Sequence, residues 1–389
     1  MIAAADSVRT APPADLPAGT PRVLFACGGT GGHVYPAIAI ADALRAMHPA
    51  AAVAFAGTRD RMEWEAVPKA GYPIHAVTVS GFQRGLSAEA LRRNAAFPFK
   101  LAKGLWESLR LVGSFDPDVV VGTGGYASGP VGLAASLRGR KLVLQEQNAY
   151  AGATNKLLAP RADVVFVAFE AACAFFPDGK CEVAGNPVRR DLAEADRDEA
   201  RAFFGADPEA RVLLVMGGSL GAGPINGALK LHLDAILEDE RVFVIWQTGG
   251  RYYDALKGGV PAHPRLCLLP YLDRMDLAYA AADLALCRAG AITCSELTVT
   301  GTPAVLVPSP NVTADHQTKN AKALAQAGAA VLLPEPELDA QLPRLVPALL
   351  GDLQRLVDME AAARHLARPQ AAQTIAERVV ALARQRRAA

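Results

Sequence analysis

The 389-residue chain has almost no net charge, no paired-cysteine motif and no long apolar run. Each absence excludes something. Forty lysines and arginines against 39 aspartates and glutamates leave a formal charge of +1, so nothing global favours nucleic acid and any basic patch must be local. The six cysteines (Cys27, Cys173, Cys181, Cys267, Cys287 and Cys294) form no CxxC pair, and several lie in apolar strand-like runs. They read as reduced, buried residues of a cytosolic protein, not as a zinc site or a disulfide framework. No apolar run reaches the roughly 18 residues needed to span a bilayer. Residues 1–20 lack a basic start and an apolar core, so they read as a disordered leader and not as a signal peptide. What is present is globular: 51% hydrophobic and 20% charged residues, in a chain long enough that two domains are expected.

The stretch Val23-Leu24-Phe25-Ala26-Cys27-Gly28-Gly29-Thr30-Gly31-Gly32-His33 reads as a buried parallel strand, a glycine turn and the start of a helix. Such a turn lets backbone N–H groups approach a ligand closely and suits an anionic group. Strand-like segments follow at residues 52–56, 74–79, 119–121, 142–144 and 164–167, with helical stretches between them. A second series occupies residues 212–215, 242–246, 265–268, 284–286, 304–307 and 330–332. This is the βαβ pattern of parallel sheets covered by helices. Between the series, Gly185-Asn186-Pro187-Val188-Arg189-Arg190 carries a turn signal, which puts a hinge near Arg190. The second series opens as the first does, with Val212 to Met216 followed by Gly217-Gly218-Ser219-Leu220-Gly221. The expected fold is therefore α/β, with two Rossmann-like parallel-sheet domains facing a cleft, an architecture shared by GT-B glycosyltransferases and sugar-nucleotide epimerases.

Three other chemistries have partial signals. A dinucleotide fingerprint would need a third glycine where Val34 stands and an acid after the second strand, where Ala56-Gly57-Thr58 is found. Gly217-Gly218-Ser219-Leu220-Gly221 fits a nucleophile elbow, with Asp283 and His316 following in hydrolase order. A hydrolase leaves the first glycine loop and the duplication unexplained. Asp116-Pro117-Asp118 is a DxD-like triplet that could hold Mg²⁺ on a diphosphate, although Asp-Pro there more often makes a turn.

Laid in order, the motifs resemble the MurG family of N-acetylglucosaminyltransferases, which complete the lipid-linked disaccharide precursor of bacterial peptidoglycan. The carriers are Gly28 to His33, Gly122-Thr123-Gly124-Gly125-Tyr126-Ala127-Ser128-Gly129-Pro130, Gln145-Glu146-Gln147-Asn148, Gly185 to Arg189, Gly217-Gly218-Ser219, Cys287-Arg288-Ala289-Gly290-Ala291 through Ser295-Glu296, and Asp315-His316-Gln317-Thr318-Lys319-Asn320-Ala321. Together they cover nearly everything from residue 21 onward. The resemblance implies an inverting GT-B transferase that uses UDP-N-acetylglucosamine and an undecaprenyl-diphosphate-linked muramyl-pentapeptide, with no cofactor, metal or nucleic acid. It implies an acceptor and membrane-binding domain over 21–189, completed by a C-terminal helix within 369–389, and a donor domain over 190–368.

The residues can be given roles on that basis. Arg288 to Glu296 reads as a glycine turn opening a helix, where the N–H groups of Ala291, Ile292, Thr293, Cys294 and Ser295 and the helix dipole would hold a diphosphate. By resemblance, Glu296 takes the ribose hydroxyls, Arg189 and Ser219 help hold the nucleotide, and Tyr271 and Leu272 meet the uracil. Gln317 and Asn320 read the sugar hydroxyls, and the role of His316 stays open. Thr30, Gly31 and Gly32 face the acceptor diphosphate or the donor sugar, with Asn148 near that sugar. A base must take the proton of the acceptor hydroxyl, and His33 suits this, although it would serve equally as a helix cap or a phosphate ligand. Glu146 and Tyr126 are further candidates for orienting the acceptor.

Residues 81–112 interleave aromatic and basic side chains, among them Phe82, Arg92, Arg93, Phe97, Phe99, Lys100, Lys103 and Trp106. Taken alone they fit a core-facing helix with a basic solvent face. A prenyl-lipid acceptor favours an anionic membrane surface instead, at the cytoplasmic face of the plasma membrane. A sugar-nucleotide 2-epimerase or a non-catalytic UDP-sugar-binding protein are the alternatives on this fold.

Overall fold

The computed structural model describes residues 19–79, 97–218, 220–312 and 315–388. The expected leader (up to residue 18), Phe82, Arg92, Arg93 and Ser219 lie outside them. The chain divides into two compact units, one comprising the residues up to Pro187 together with Gln370–Ala389, the other Val188–Pro369.

The first unit runs β1 (Arg22–Ala26), α1 (Gly31–Met47), β2 (Ala52–Gly57), α2 (Glu63–Lys69), β3 (Ile74–Ala76), α3 (Phe97–Phe115), β4 (Val119–Gly122), α4 (Ser128–Leu137), β5 (Lys141–Glu146), α5 (Ala153–Leu158), β6 (Val164–Val167) and β7 (Cys181–Val183). Its seven strands are parallel in the order β3-β2-β1-β4-β5-β6-β7. The apolar runs of β1, β2, β4 and β6 are buried on both faces, as strands covered by helices must be. Phe25 and Phe55 stack at 5.1 Å within this core. The strand order reverses direction beside β1, so the turns after β1 and β4 leave neighbouring strand ends, the usual place for a ligand crevice.

The second unit runs α6 (Arg197–Phe204), β8 (Arg211–Met216), α7 (Gly223–Ile236), β9 (Val242–Gln247), α8 (Gly250–Lys257), β10 (Leu266–Leu269), α9 (Met275–Ala281), β11 (Leu284–Cys287), α10 (Ala291–Thr300), β12 (Ala304–Leu306), α11 (His316–Gln326), β13 (Ala330–Leu332), α12 (Leu338–Gly351) and α13 (Leu353–Leu366). Its parallel sheet has the order β10-β9-β8-β11-β12-β13, with the same reversal beside β8. Both units are Rossmann-like.

The last helix, α14 (Ala371–Ala388), belongs to the first unit. Ile375, Ala376, Val379, Val380, Leu382 and Ala383 join the core that α1 also enters. Its basic end is clamped: Arg386 Nη1 and Arg387 Nε donate to Asp118 Oδ1 at 2.8 and 2.9 Å, and the Arg22 N–H donates to Asp118 Oδ2 at 2.9 Å. Asp116 pairs with Arg140 at 2.6 Å. The DxD-like triplet thus lies at the amino end of β4, bound to arginines, and is an anchor for α14 instead of a diphosphate-metal site.

Two further expectations are corrected. Strand β7 gives no apolar-run signal in the sequence, because it is a three-residue edge strand with an exposed Glu182 at its centre. The cysteines are not all reduced: Cys173 and Cys181 form a disulfide, their Cα atoms brought to 5.6 Å by a 3-10 turn over Glu170–Phe175 and the start of β7. Cys27, Cys287 and Cys294 are free and buried, and Cys267 is free and half-buried. Among the described residues no helix is long and apolar enough to cross a membrane.

Candidate active site

In the first unit two glycine turns meet backbone to backbone. A Cβ on Gly125 (φ +79°) would lie 2.1 Å from Gly28 O, and one on Gly124 would lie 2.6 Å from His33 Nδ1. Only glycine permits either approach. Ser128 Oγ fixes the second turn, accepting from Gly124 N at 3.1 Å and lying 2.7 Å from Ala26 O. Thr30 is the exposed, extended N-cap of α1 and makes no side-chain capping bond. Gly31 and Gly32 occupy the open first turn, where the helix itself offers their N–H groups no acceptor. His33 follows, half-buried, with Nδ1 at 3.0 Å from Thr123 O and 2.9 Å from Gln147 Oε1.

One residue here carries no signal in the sequence. Glu63 is fully buried, and its carboxylate accepts from Gly29 N at 3.0 Å, Thr58 N at 3.0 Å and Thr58 Oγ1 at 2.6 Å. A Cβ on Gly28 would fall 2.7 Å from Glu63 Oε1, so the carboxylate and the glycine turn occupy one fitted space. Nothing in the local sequence distinguishes this acid from its solvated neighbours.

Glu146, a candidate for orienting the acceptor, is engaged by its own segment of chain. Its buried carboxylate accepts from Asn148 N at 3.1 Å, Asn148 Nδ2 at 3.3 Å, Gly152 N at 2.9 Å and Asn155 Nδ2 at 2.9 Å. It organises the loop after β5 and so orients Asn148. Tyr126 is 62% exposed and stands at an apolar groove of about 590 Å³ lined in part by Val79, Leu101, Leu105, Leu133, Leu157 and Arg161. On α3, Phe99, Lys103, Trp106 and Arg110 form one exposed stripe, with Phe99 80% and Trp106 60% exposed. Lys100 is exposed beside it, and the side chain of Phe97 is outside the described set.

In the second unit the turn after β8 repeats the device. Gly218 and Gly221 have positive φ, and a Cβ on Gly221 would lie 2.0 Å from Thr248 O. Gln247 Nε2 holds this turn through Gly218 O at 3.1 Å, a contact the sequence does not announce. Helix α10 opens on Gly290, which has no side chain to cap the helix, and Cys294 N is the donor that closes back to Gly290 O. Ala291, Ile292 and Thr293 form the first turn, at the positive end of the helix dipole. Cys294 turns its side chain into the core, and Ser295 Oγ bonds Ala291 O at 3.1 Å. Glu296, one turn on, accepts from Tyr279 Oη at 2.9 Å. Burial pushes its carboxyl up to about 7, against the Tyr279 hydrogen bond and the charge of Arg189. Burial, with the Glu296 charge, holds the Tyr279 phenol well above its usual range.

Asn320 is buried and donates to Ala289 O at 3.2 Å, and Gln317 Oε1 accepts from Ser309 N at 2.8 Å. Both fix the loops around the start of α10. Arg288, placed with the donor-binding residues by the sequence, lies just before that helix start. Its guanidinium donates to Val307 O at 3.1 Å and Pro308 O at 3.2 Å and pairs with Glu335, so it braces the loop. Tyr271 is 49% exposed after β10, and Leu272 beside it is buried. The hydrolase reading fails on geometry. Asp283 Oδ2 accepts from Val212 N at 2.7 Å and pairs with Arg197 and Arg201, at the amino end of β8, whereas the glycine turn leaves the carboxyl end.

Two Rossmann-like parallel-sheet units, each with a glycine turn at the carboxyl end of its first strand, are the architecture of the GT-B class of glycosyltransferases. Comparison with known proteins agrees. Residues 23–167 match the glycosyltransferase family 28 N-terminal domain and residues 212–378 match the family 28 C-terminal domain. A Salinibacter ruber protein is 58% identical over 93% of this chain and 97% of its own; it is described as a UDP-N-acetylglucosamine--N-acetylmuramyl-(pentapeptide) pyrophosphoryl-undecaprenol N-acetylglucosamine transferase. The crystal structure of Acinetobacter baumannii MurG superposes with a TM-score of 0.71 at 33% identity, covering 92% of this chain and 99% of that one. A putative UDP-N-acetylglucosamine 2-epimerase from Listeria monocytogenes shares the fold alone, at 15% identity over 92% of this chain and 95% of that one, with a TM-score of 0.64. The chain belongs to glycosyltransferase family 28.

Proposed function

We propose that this protein transfers N-acetylglucosamine from UDP-N-acetylglucosamine, with inversion, to the muramyl hydroxyl of an undecaprenyl-diphosphate-linked muramyl-pentapeptide. The observation that carries the reading is the second-unit site: the positive, glycine-capped start of α10 for a diphosphate, with Glu296 one turn further on for ribose hydroxyls. The near-complete match to the Salinibacter ruber transferase supplies the acceptor. In this reading the second unit, 190–368 in the sequence division, binds the donor. The α10 dipole and Arg189 stabilise the departing UDP without a metal ion. Tyr271 and Leu272 meet the uracil, and Gln317 and Asn320 set the sugar position.

The first unit binds the acceptor. Its paired glycine turns, with Thr30, Gly31 and Gly32, face the acceptor diphosphate, and His33 takes the proton of the attacking hydroxyl. The groove beside Tyr126 suits the first isoprene units of the lipid, and the Phe99-Lys103-Trp106-Arg110 stripe suits an anionic leaflet. The protein then works as a peripheral enzyme at the cytoplasmic face of the plasma membrane. The test supplies labelled UDP-N-acetylglucosamine with and without the lipid-linked acceptor. Label appearing in the lipid only when acceptor is present supports the reading; epimerised nucleotide or bound, unreacted donor refutes it.

A further inference from the structure

Among the almost wholly buried amide side chains of the first unit, three are linked in series: Gln145 at 0%, Gln147 at 1% and Asn186 at 2% exposure. Buried amides destabilise the fold unless their donors and acceptors are met, so their bonding pattern reports a constraint. Gln145 and Gln147 are two residues apart, which turns both side chains to one face, while Glu146 between them turns to the other.

Backbone carbonyls, which can only accept, fix the direction of every rung. Gln147 O lies 3.0 Å from one terminal atom of Asn186, which must therefore be Nδ2, leaving Asn186 Oδ1 to accept from Gln145 Nε2 at 2.9 Å. Gln145 then presents Oε1 to Gln147 Nε2. Gln147 Nε2 is fixed independently, because it also meets Thr123 O at 2.6 Å and Gln145 O at 3.2 Å. Its remaining atom, Oε1, faces His33 Nδ1 at 2.9 Å. Thr123 O, a second pure acceptor, lies 3.0 Å from the same nitrogen. With two acceptors against it, Nδ1 must carry a proton.

We propose that Gln147, itself oriented by Gln145 and Asn186, is a positioning residue that fixes the His33 imidazole with its proton on Nδ1 and so makes Nε2 the basic nitrogen. This rests on the reading of His33 as the base. The ladder does for a neutral imidazole what a carboxylate does in a serine-hydrolase triad, choosing tautomer and ring orientation without adding a charge. Its far end is Asn186 of Gly185-Asn186-Pro187, the last residues of the first unit before the chain enters the second. A change in backbone path at that junction would reach His33 through three side chains.

The test is nitrogen-15 NMR of the full chain labelled at histidine, at a pH where imidazole is neutral, with the His33 signals assigned by their absence from His33→Gln. The wild type is expected to carry the proton on Nδ1; a proton on Nε2 overturns the proposal. In Gln147→Leu a measurable share of the other tautomer is expected, with kcat for labelled-sugar transfer lowered about tenfold or more and the KM for UDP-N-acetylglucosamine within about twofold of wild type. Asn186→Leu is expected to change both readouts in the same direction by less. Wild-type kcat and tautomer in Gln147→Leu also overturn it. Because the wild-type tautomer is read without turnover, it stands if Gln147→Leu fails to fold. Absent transfer in the wild type would count against the functional reading instead.

Discussion

The hydroxyl of Tyr279 donates to Glu296 Oε2 at 2.9 Å, yet burial still holds that carboxyl at about 7. The site keeps an acid whose charge the apo protein accommodates poorly. Its ordinary value is 4.5, so between there and about 7 the folded chain retains a proton that the unfolded chain has released. Stability contributed by this group is therefore full below the lower value and lost as pH rises through the window.

Two measurements follow from that sign. Urea unfolding of the apo protein should show stability falling from pH 5 to pH 7.5, with a shallower fall in Glu296→Gln. If ribose hydroxyls donate to the ionised carboxylate, Glu296→Ala should raise the KM for UDP-N-acetylglucosamine by about tenfold or more, the loss of a charge-assisted hydrogen bond worth ~1.5–3 kcal/mol. An unchanged KM would remove Glu296 from the donor site.

His33→Ala should lower kcat by well over the roughly tenfold expected of a minor contact, with donor binding nearly intact, because base catalysis typically contributes on the order of a hundredfold. Steady-state kinetics paired with donor titration checks it. Unchanged turnover would leave His33 as a helix-start residue with no part in the chemistry.

Gly125→Ala should be structural. The residue would need a left-handed backbone and a Cβ 2.1 Å from Gly28 O, against backbone that cannot swing aside. Destabilisation of about 3 kcal/mol or more is expected in denaturant unfolding. Gly227→Ala, on α7 with nothing within 4 Å of the added carbon, is the control and should be neutral or slightly stabilising.

Phe99 and Trp106 project into solvent, so replacing both with serine should leave the folded state intact. If α3 meets an anionic leaflet, this double variant should lose sedimentation with phosphatidylglycerol-containing vesicles. Equal sedimentation of wild type and variant, or indifference of the wild type to anionic lipid, would contradict the membrane assignment.

The strands around each glycine turn were legible in the sequence because buried parallel strands are continuous apolar runs, and β1 and β8 are followed at once by Gly-Gly. The apolar pattern over 74–79 overstates β3, since only Ile74–Ala76 finds a partner strand. What stayed hidden depends on which way a side chain turns. Arg288 follows β11 at the donor-side turn, and only the structure shows its bonds to Val307 O, Pro308 O and Glu335. Glu146 reads as a candidate for orienting the acceptor, and only the structure shows four donors, from the loop after β5 and from Asn155 of α5, on its carboxylate. Glu63 meets Gly29 from 34 residues away, and the Cys173–Cys181 pair, though eight residues apart, depends on a turn that no CxxC-type spacing announces.

The most direct measurement is the structure of the product. Purified protein given UDP-N-acetylglucosamine and the undecaprenyl-diphosphate-linked muramyl-pentapeptide should yield a lipid-linked disaccharide, and proton NMR of its new anomeric centre should show the β configuration, inverted from the α-linked donor. Retained α configuration, or sugar recovered only as free or epimerised nucleotide, would contradict the account.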